Sequence, residues 1–280
     1  MNNQDFNRYA PPSTPFEEIS RSIEDDGYLG EPQAVGMGRA MGWLRDAWSL
    51  FKQRPGKWMG AVLLILLANV VIALIPIVGP LLQPPLMTFL LAGVAYAAQD
   101  TEQYGNFSIG DIFSTGFRER ALSLLGVGLF TFALTLLYGA IVYFVFGSDV
   151  LQAYLDNVQE GMPNNLKAMN LVFAIVYLSL TFLTPTLIIL QGEKLFRAIG
   201  LSLKGFLRNI GGAFWCSLLI FLAFLGVIFS GAVLTGFLAS LAPGLGKAAL
   251  VLLAVAVLAC LPVLFILPYA VYRDLFFERE

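Results

Sequence analysis

The sequence predicts an all-α, polytopic membrane protein with six transmembrane helices. Three observations carry that prediction. Only 13% of the 280 residues are charged, against about 25% in an average soluble domain. Hydrophobic residues make up 58% of the chain and the mean hydropathy is +0.74. Six apolar runs are each long enough to cross a bilayer, which takes about 20 residues at 1.5 Å per residue.

Residues 1–37 come before any such run. They are polar, hold Pro11, Pro12 and Pro15, and carry the acidic cluster Glu24-Asp25-Asp26. This composition cannot bury enough apolar surface to fold alone, so a mostly disordered cytosolic tail is expected. It lacks the basic start and short apolar stretch of a signal peptide. Residues 38–280 form the expected six-helix transmembrane domain.

The first span is predicted over Trp58–Ile75, with Pro76 and Gly79-Pro80 ending it. The second follows from about Leu81 to Ala98, with Pro80, Pro84 and Pro85 near its start, where missing N–H groups cost least. The connection is short, so the two spans pair as a hairpin. The third runs from Leu122 to Phe146 and contains Gly126, Gly128 and Gly139. Residues 147–168 are polar enough to leave the membrane. The fourth span covers Met169–Leu190, with a kink expected at Pro185. The fifth covers Ala213–Leu238, a Pro243-Gly244 turn follows, and the sixth covers Ala248–Tyr269 with Pro262 and Pro268 in its second half.

Six spans divide the basic residues unevenly. Of 17 lysines and arginines, 15 fall on one side, and only Lys167 and Lys247 fall on the other. Under the positive-inside rule both termini face the cytoplasm. Arg45, Lys52, Arg54 and Lys57, with Lys204 and Arg208 further on, are candidate contacts for phospholipid head groups.

A similar amphipathic segment precedes each odd-numbered span. Leu44, Ala47, Trp48 and Phe51 recur at three- and four-residue steps; so do Ile109, Ile112, Phe113 and Phe117, and Ile199, Leu203, Phe206 and Leu207. Such helices lie in the membrane interface with the apolar face toward the acyl chains. Three helical hairpins are expected, each preceded by a cytosolic interfacial helix. Trp43, Trp48 and Trp58 suit the head-group level.

The chain has no histidine, which excludes a Ser-His-Asp triad or a His-ligated metal. Cys216 and Cys260 are isolated within apolar runs and form no thiolate site. No charged residue falls inside a predicted span, so an ion-driven pump lacks its usual intramembrane charge. The polar positions of note inside the spans are Asn69 and Gln83, read as helix–helix contacts or as the wall of a solute path. Asp100, Glu102 and Asp111 gather near a span end without a partner base. Gln191-Gly192-Glu193-Lys194 and Tyr272-Arg273-Asp274 place acids beside bases at the cytosolic edge. No metal site, cofactor motif or nucleic-acid-binding pattern is expected.

The run Trp48–Trp58 resembles the start of an uncharacterised family of proteobacterial six-span inner-membrane proteins. So do Leu74–Pro80 with Pro84-Pro85-Leu86-Met87, Leu187–Ile199 and Tyr269–Phe276. That family is distantly similar to the membrane domain of glycerophosphodiester phosphodiesterases. The resemblance implies the fold and a bacterial inner-membrane location, and supplies no catalytic residue. The expected role is a non-catalytic accessory or scaffold protein that touches lipid or a membrane or cytosolic protein partner. The alternatives are a transporter or channel for a neutral or lipid-like solute, and an enzyme acting on lipid. A homo-oligomer is compatible with the glycine-bearing faces.

Overall fold

The computed structural model describes residues 27–75, 78–155 and 162–278. Most of the expected tail lies outside them. The protein is all-α, with six apolar membrane-spanning helices. Among the described residues there are eleven helices: α1 (Arg39–Gln53), α2 (Pro55–Ala73), α3 (Val78–Tyr104), α4 (Ile109–Glu119), α5 (Ala121–Phe146), α6 (Ser148–Leu155), α7 (Asn164–Thr181), α8 (Thr184–Gln191), α9 (Leu195–Arg208), α10 (Ile210–Leu241) and α11 (Pro243–Phe276). Spans one, two, three, five and six are α2, α3, α5, α10 and α11. Span four is α7 and α8 together, Asn164–Gln191.

The fourth span breaks for two reasons that act at the same place. Pro185 has no N–H to give to the preceding turn, and it sits in the first turn of α8. The Ser202 hydroxyl, from α9, accepts the Leu183 N–H at 3.2 Å and donates to the Ser179 carbonyl at 2.9 Å. A regular helix would join that N–H and that carbonyl directly. Insertion of a side chain into the ladder is a recognised cause of a kink.

Helix α3 is the centre of the bundle: 56% of its apolar window is buried, against none for α10. Two glycine contacts permit this. A Cβ built on Gly93 would fall on the Ile112 carbonyl oxygen, so α4 lies backbone-close on α3. A Cβ on Gly128 would fall on Pro85, so α5 crosses α3 at the Pro84-Pro85 pair. Small residues allow such approach where no hydrophobic force drives helices together in lipid. Gly139, Gly226 and Gly236 face open space instead.

The main core is concentrated at one end of the spans. It joins Trp43 and Ala47 of α1, Phe89–Ala98 of α3, Leu187–Leu190 of α8 and Ile266–Phe276 of α11. Both described chain ends lie there, since Tyr28 pairs with Phe277 in an antiparallel bridge. We call this end the terminal face. Farther along, α5 and α7 meet through a separate cluster of Tyr138, Val142 and Leu166, and α10 packs mainly against α11.

The tryptophans differ from expectation. Trp43 is 2% exposed and Trp58 is 0% exposed, while Trp48 is 44% exposed. Of the three, only Trp48 is exposed enough to sit among head groups. Trp58 packs instead on Phe107, with ring centroids 4.3 Å apart, because the chain following α3 folds back over the start of α2.

The span helices also run beyond the apolar windows read from sequence. Asp100 and Glu102 lie on the end of α3, and Arg273 and Asp274 on the end of α11. Charged residues therefore do ride on span helices: these four lie at the terminal face, and Lys167 and Lys247 sit near the opposite ends of α7 and α11.

Candidate functional site

Two concave sites share one wall. The first is an apolar cleft of about 390 Å³ between α7, α9, α10 and the end of α11. Its floor is buried: Leu183, Ser202, Gly205, Asn209 and Leu275. Leu178 of α7 and Ser217 of α10 stand on its rim and are exposed. The cleft therefore opens sideways between α7 and α10, at membrane depth. Its volume is at the lower end of the range for small-molecule sites, about 300–1,000 Å³. The break in span four forms one side, since Phe182 and Leu183 both line it.

The second site is a polar pocket of about 350 Å³ on the terminal face, lined by Arg39, Asp46, Glu102, Tyr269, Arg273 and Asp274 among others. Asp274 is its most buried charge, with a side chain 5% exposed. Arg39 binds it with two parallel bonds, Nε to Oδ2 at 3.1 Å and Nη2 to Oδ1 at 2.7 Å. The Trp43 indole N–H adds a third at 2.7 Å. Bidentate arginine–carboxylate geometry of this kind is among the stronger polar contacts available. Its hydrogen bonds to Asp274 hold the Arg39 guanidinium more firmly protonated than usual. Burial raises the Asp46 carboxyl above its ordinary range; Arg39 opposes the rise, and Asp274 and Glu102 add to it.

The indole of Trp43 also lines the apolar cleft. Trp43 and Asp274 thus form the partition between the two sites. On α11 the faces alternate: Leu267, Val271 and Leu275 face the cleft, and Ala270, Arg273 and Asp274 face the polar pocket.

The two acid–base motifs noted in the sequence come together here. Gln191 donates to the Tyr272 hydroxyl. Arg273 pairs with Glu102 at 3.2 Å, and Tyr269 donates to the same carboxylate. Glu193 pairs with Arg197 at 3.1 Å. The expected grouping of Asp100, Glu102 and Asp111 is divided, because Tyr269 and Arg273 hold Glu102 toward α11. Among the described residues, no group of three Cys, Asp or Glu side chains could hold a metal ion.

The residues singled out from the sequence are scattered. Asn69 donates to Ile65 O at 2.9 Å and meets the Met87 sulfur at 3.1 Å, so it joins α2 to α3 away from both sites. Gln83 is exposed on the start of the second span. Arg45 and Lys52 are exposed on α1. Arg54 and Lys57 cap the end of α3: Arg54 donates to Gly105 O at 3.0 Å, and Lys57 to Phe107 O and Asn106 Oδ1 at 2.8 Å each. Gly105 has φ +65°, the left-handed conformation that ends many helices. Lys204 pairs with Glu31 at 2.9 Å, and Arg208 donates to Pro32 O.

Residues 27–38 run as a strap over the terminal face. Leu29 N–H donates to Phe276 O and Gln33 N–H to Leu275 O, both at 2.8 Å. The Gln33 side chain donates to Asp274 O at 3.0 Å and Phe277 O at 2.7 Å. These carbonyls are the ones a helix leaves without partners at its C-terminus. On its other edge the strap meets Asn209, which accepts the Val35 N–H at 2.6 Å and donates to Gln33 O at 2.9 Å. Tyr28 reaches Glu193 at 3.5 Å, and burial beside that carboxylate raises its hydroxyl above the usual tyrosine range.

Trp43, Ser202, Asn209 and Gln33 did not stand out as site residues in the sequence. Asp274 was legible as an acid beside Arg273 after span six, but not its pairing with Arg39 and Trp43. The others are ordinary residue types whose partners lie far away in the chain.

Comparison of the chain with protein-family models, with curated proteins and with solved structures finds no match.

Proposed function

We propose that this is a non-catalytic inner-membrane accessory protein that holds a hydrocarbon chain of a membrane lipid in the cleft between α7 and α10. One observation carries the reading: the cleft is almost wholly apolar, and its rim at Leu178 and Ser217 faces the surrounding membrane. An apolar cavity open to a bilayer is next to hydrocarbon, and lipid is its nearest occupant. In this reading α1, α4 and α9 are the interfacial helices of three hairpins. The terminal face is cytosolic in this reading, because 12 of the 14 described lysines and arginines lie on that side, all but Lys167 and Lys247. Arg45 and Lys52, exposed on α1, are the head-group contacts that support the reading best. The resemblance of Trp48–Trp58 and Tyr269–Phe276 to a proteobacterial inner-membrane family favours the same location.

The test is a phospholipid with a photoactivatable diazirine in its acyl chain, reconstituted with the full chain. Adducts mapped by mass spectrometry should concentrate on Leu178, Ile220 and Leu264, and Ser217→Trp should reduce them at least fivefold. Adducts spread evenly over the outer faces of α2, α5 and α10 would sink the proposal.

A second reading, transport of a lipid-like solute, is favoured by the position of the cleft beside the Pro185 break. Broken helices are common where transporters bind their cargo. Saturable lipid movement across proteoliposomes that Ser217→Trp abolishes would select this reading over a static accessory role.

A further inference from the structure

We infer that residues 29–35 form a releasable latch over the end of the apolar cleft that points to the terminal face. The inference rests on reading the cleft as a lipid site and concerns how that site is closed.

The floor of the cleft at this end is made by Gly205, Asn209 and Leu275. The strap touches all three. A Cβ built on Gly205 would lie 3.6 Å from Pro32 Cβ and 3.5 Å from Leu275 Cδ1, so the strap, α9 and α11 converge on one glycine. Asn209 is 4% exposed, and its carboxamide is committed to the strap on both sides, to Val35 N–H and Gln33 O. Leu275 receives the Gln33 N–H on its carbonyl. Without the strap these polar groups would be open to water, and the floor would lose its cover.

The contacts suit a closure that opens. They are hydrogen bonds to main-chain groups and one exposed ion pair, Glu31 with Lys204, side chains 52% and 55% exposed. Exposed pairs of this kind are weak. Within residues 29–35 only Pro32 is buried, while Leu29, Glu31 and Ala34 are exposed. The large apolar contact, Tyr28 stacked on Phe276, lies just before the latch. A segment with so few buried apolar side chains opens at low cost. Tyr28, bridged to Phe277 and stacked on Phe276, separates the latch from the polar, acidic residues 1–26.

Cys216 provides the reporter. It is 5% exposed and lines the cleft, and a thiol in apolar surroundings reacts slowly with a charged reagent until water reaches it. The experiment uses the full chain carrying Cys260→Ala in phosphatidylglycerol–phosphatidylcholine nanodiscs, with a cationic methanethiosulfonate as probe. Gln33→Ala with Val35→Pro removes three of the latch bonds, the two from the Gln33 side chain and the one from the Val35 N–H, and leaves every span unaltered. Cys216 modification should then speed up at least threefold; a rate within threefold of the parent overturns the inference. Lys204→Glu is a second, milder variant. It should also speed modification, and adding Glu31→Lys should restore the parent rate; failure of that reversal counts against the latch. The diazirine lipid in the same nanodiscs separates the two ideas. Absent cleft adducts defeat the lipid reading, whereas the latch is judged by the thiol rates.

Discussion

Ser202 completes the backbone of a helix to which it does not belong. Its hydroxyl takes the Leu183 N–H at 3.2 Å and passes its own proton to Ser179 O at 2.9 Å. Ser202→Ala would leave both main-chain groups without partners in an apolar setting. The expected loss is about 1–3 kcal/mol, measured by unfolding in mixed detergent micelles. Ser202→Cys, a weaker donor, should fall between the two. Equal stability of wild type and Ser202→Ala would mean that the kink needs only Pro185.

Trp43 and Asp274 divide the apolar cleft from the polar pocket. Trp43→Phe keeps the ring and removes the N–H, which should cost about 1.5–3 kcal/mol because the acceptor is charged and buried. Asp274→Asn should cost more, since it also leaves Arg39 without its counter-ion. A double-mutant cycle between the two positions should show clear coupling in thermal unfolding; additive losses would deny the link.

The glycines separate into two classes. Gly93→Ala and Gly128→Ala would push a methyl into Ile112 O and Pro85, and should destabilise by about 1–3 kcal/mol or more. Gly139→Ala and Gly226→Ala meet nothing within 4 Å, and should change stability by no more than about 0.5 kcal/mol, or raise it through helix propensity. Detergent melting curves of the four variants, run together, test the assignment of close helix crossings to α3.

The hydrogen bond and charge of Lys204 hold Glu31 below the usual carboxylate value of 4.5. A depressed folded-state pKa means that the pair stabilises the strap fully above about pH 4.5 and is lost as pH falls through the lowered value. Amide exchange at Leu29, Gln33 and Val35, corrected for intrinsic rate, should therefore show weaker protection below that pH. Lys204→Gln should flatten the dependence. Protection that falls equally in both proteins would assign the effect to other groups.

The span count was legible because it needs only local composition: about 20 apolar residues in a row have few other uses. The Pro185 kink was legible for a similar reason, since the missing N–H is a property of the residue itself. The ends of the helices were less so. Asp100, Glu102, Arg273 and Asp274 extend α3 and α11 past their apolar windows, because a helix continues as long as its charged side chains find partners. Those partners lie on other helices and do not show in a hydropathy window. Arg54, Lys57, Lys204 and Arg208 illustrate the same limit. Their charge suited lipid head groups, yet each donates to a main-chain carbonyl or a carboxylate of this chain.

By itself the sequence determined that this chain lives in a membrane, how many times it crosses, and that histidine chemistry has no place in it. Hydrophobicity summed along a window decides those points, and summation needs no fold. Tertiary structure alone decided which tryptophans are buried, which acid meets which base, and that a cleft exists between α7 and α10. A hydrogen bond near 3 Å depends on where two distant segments come to rest, and a cavity is a gap between surfaces that pattern cannot register.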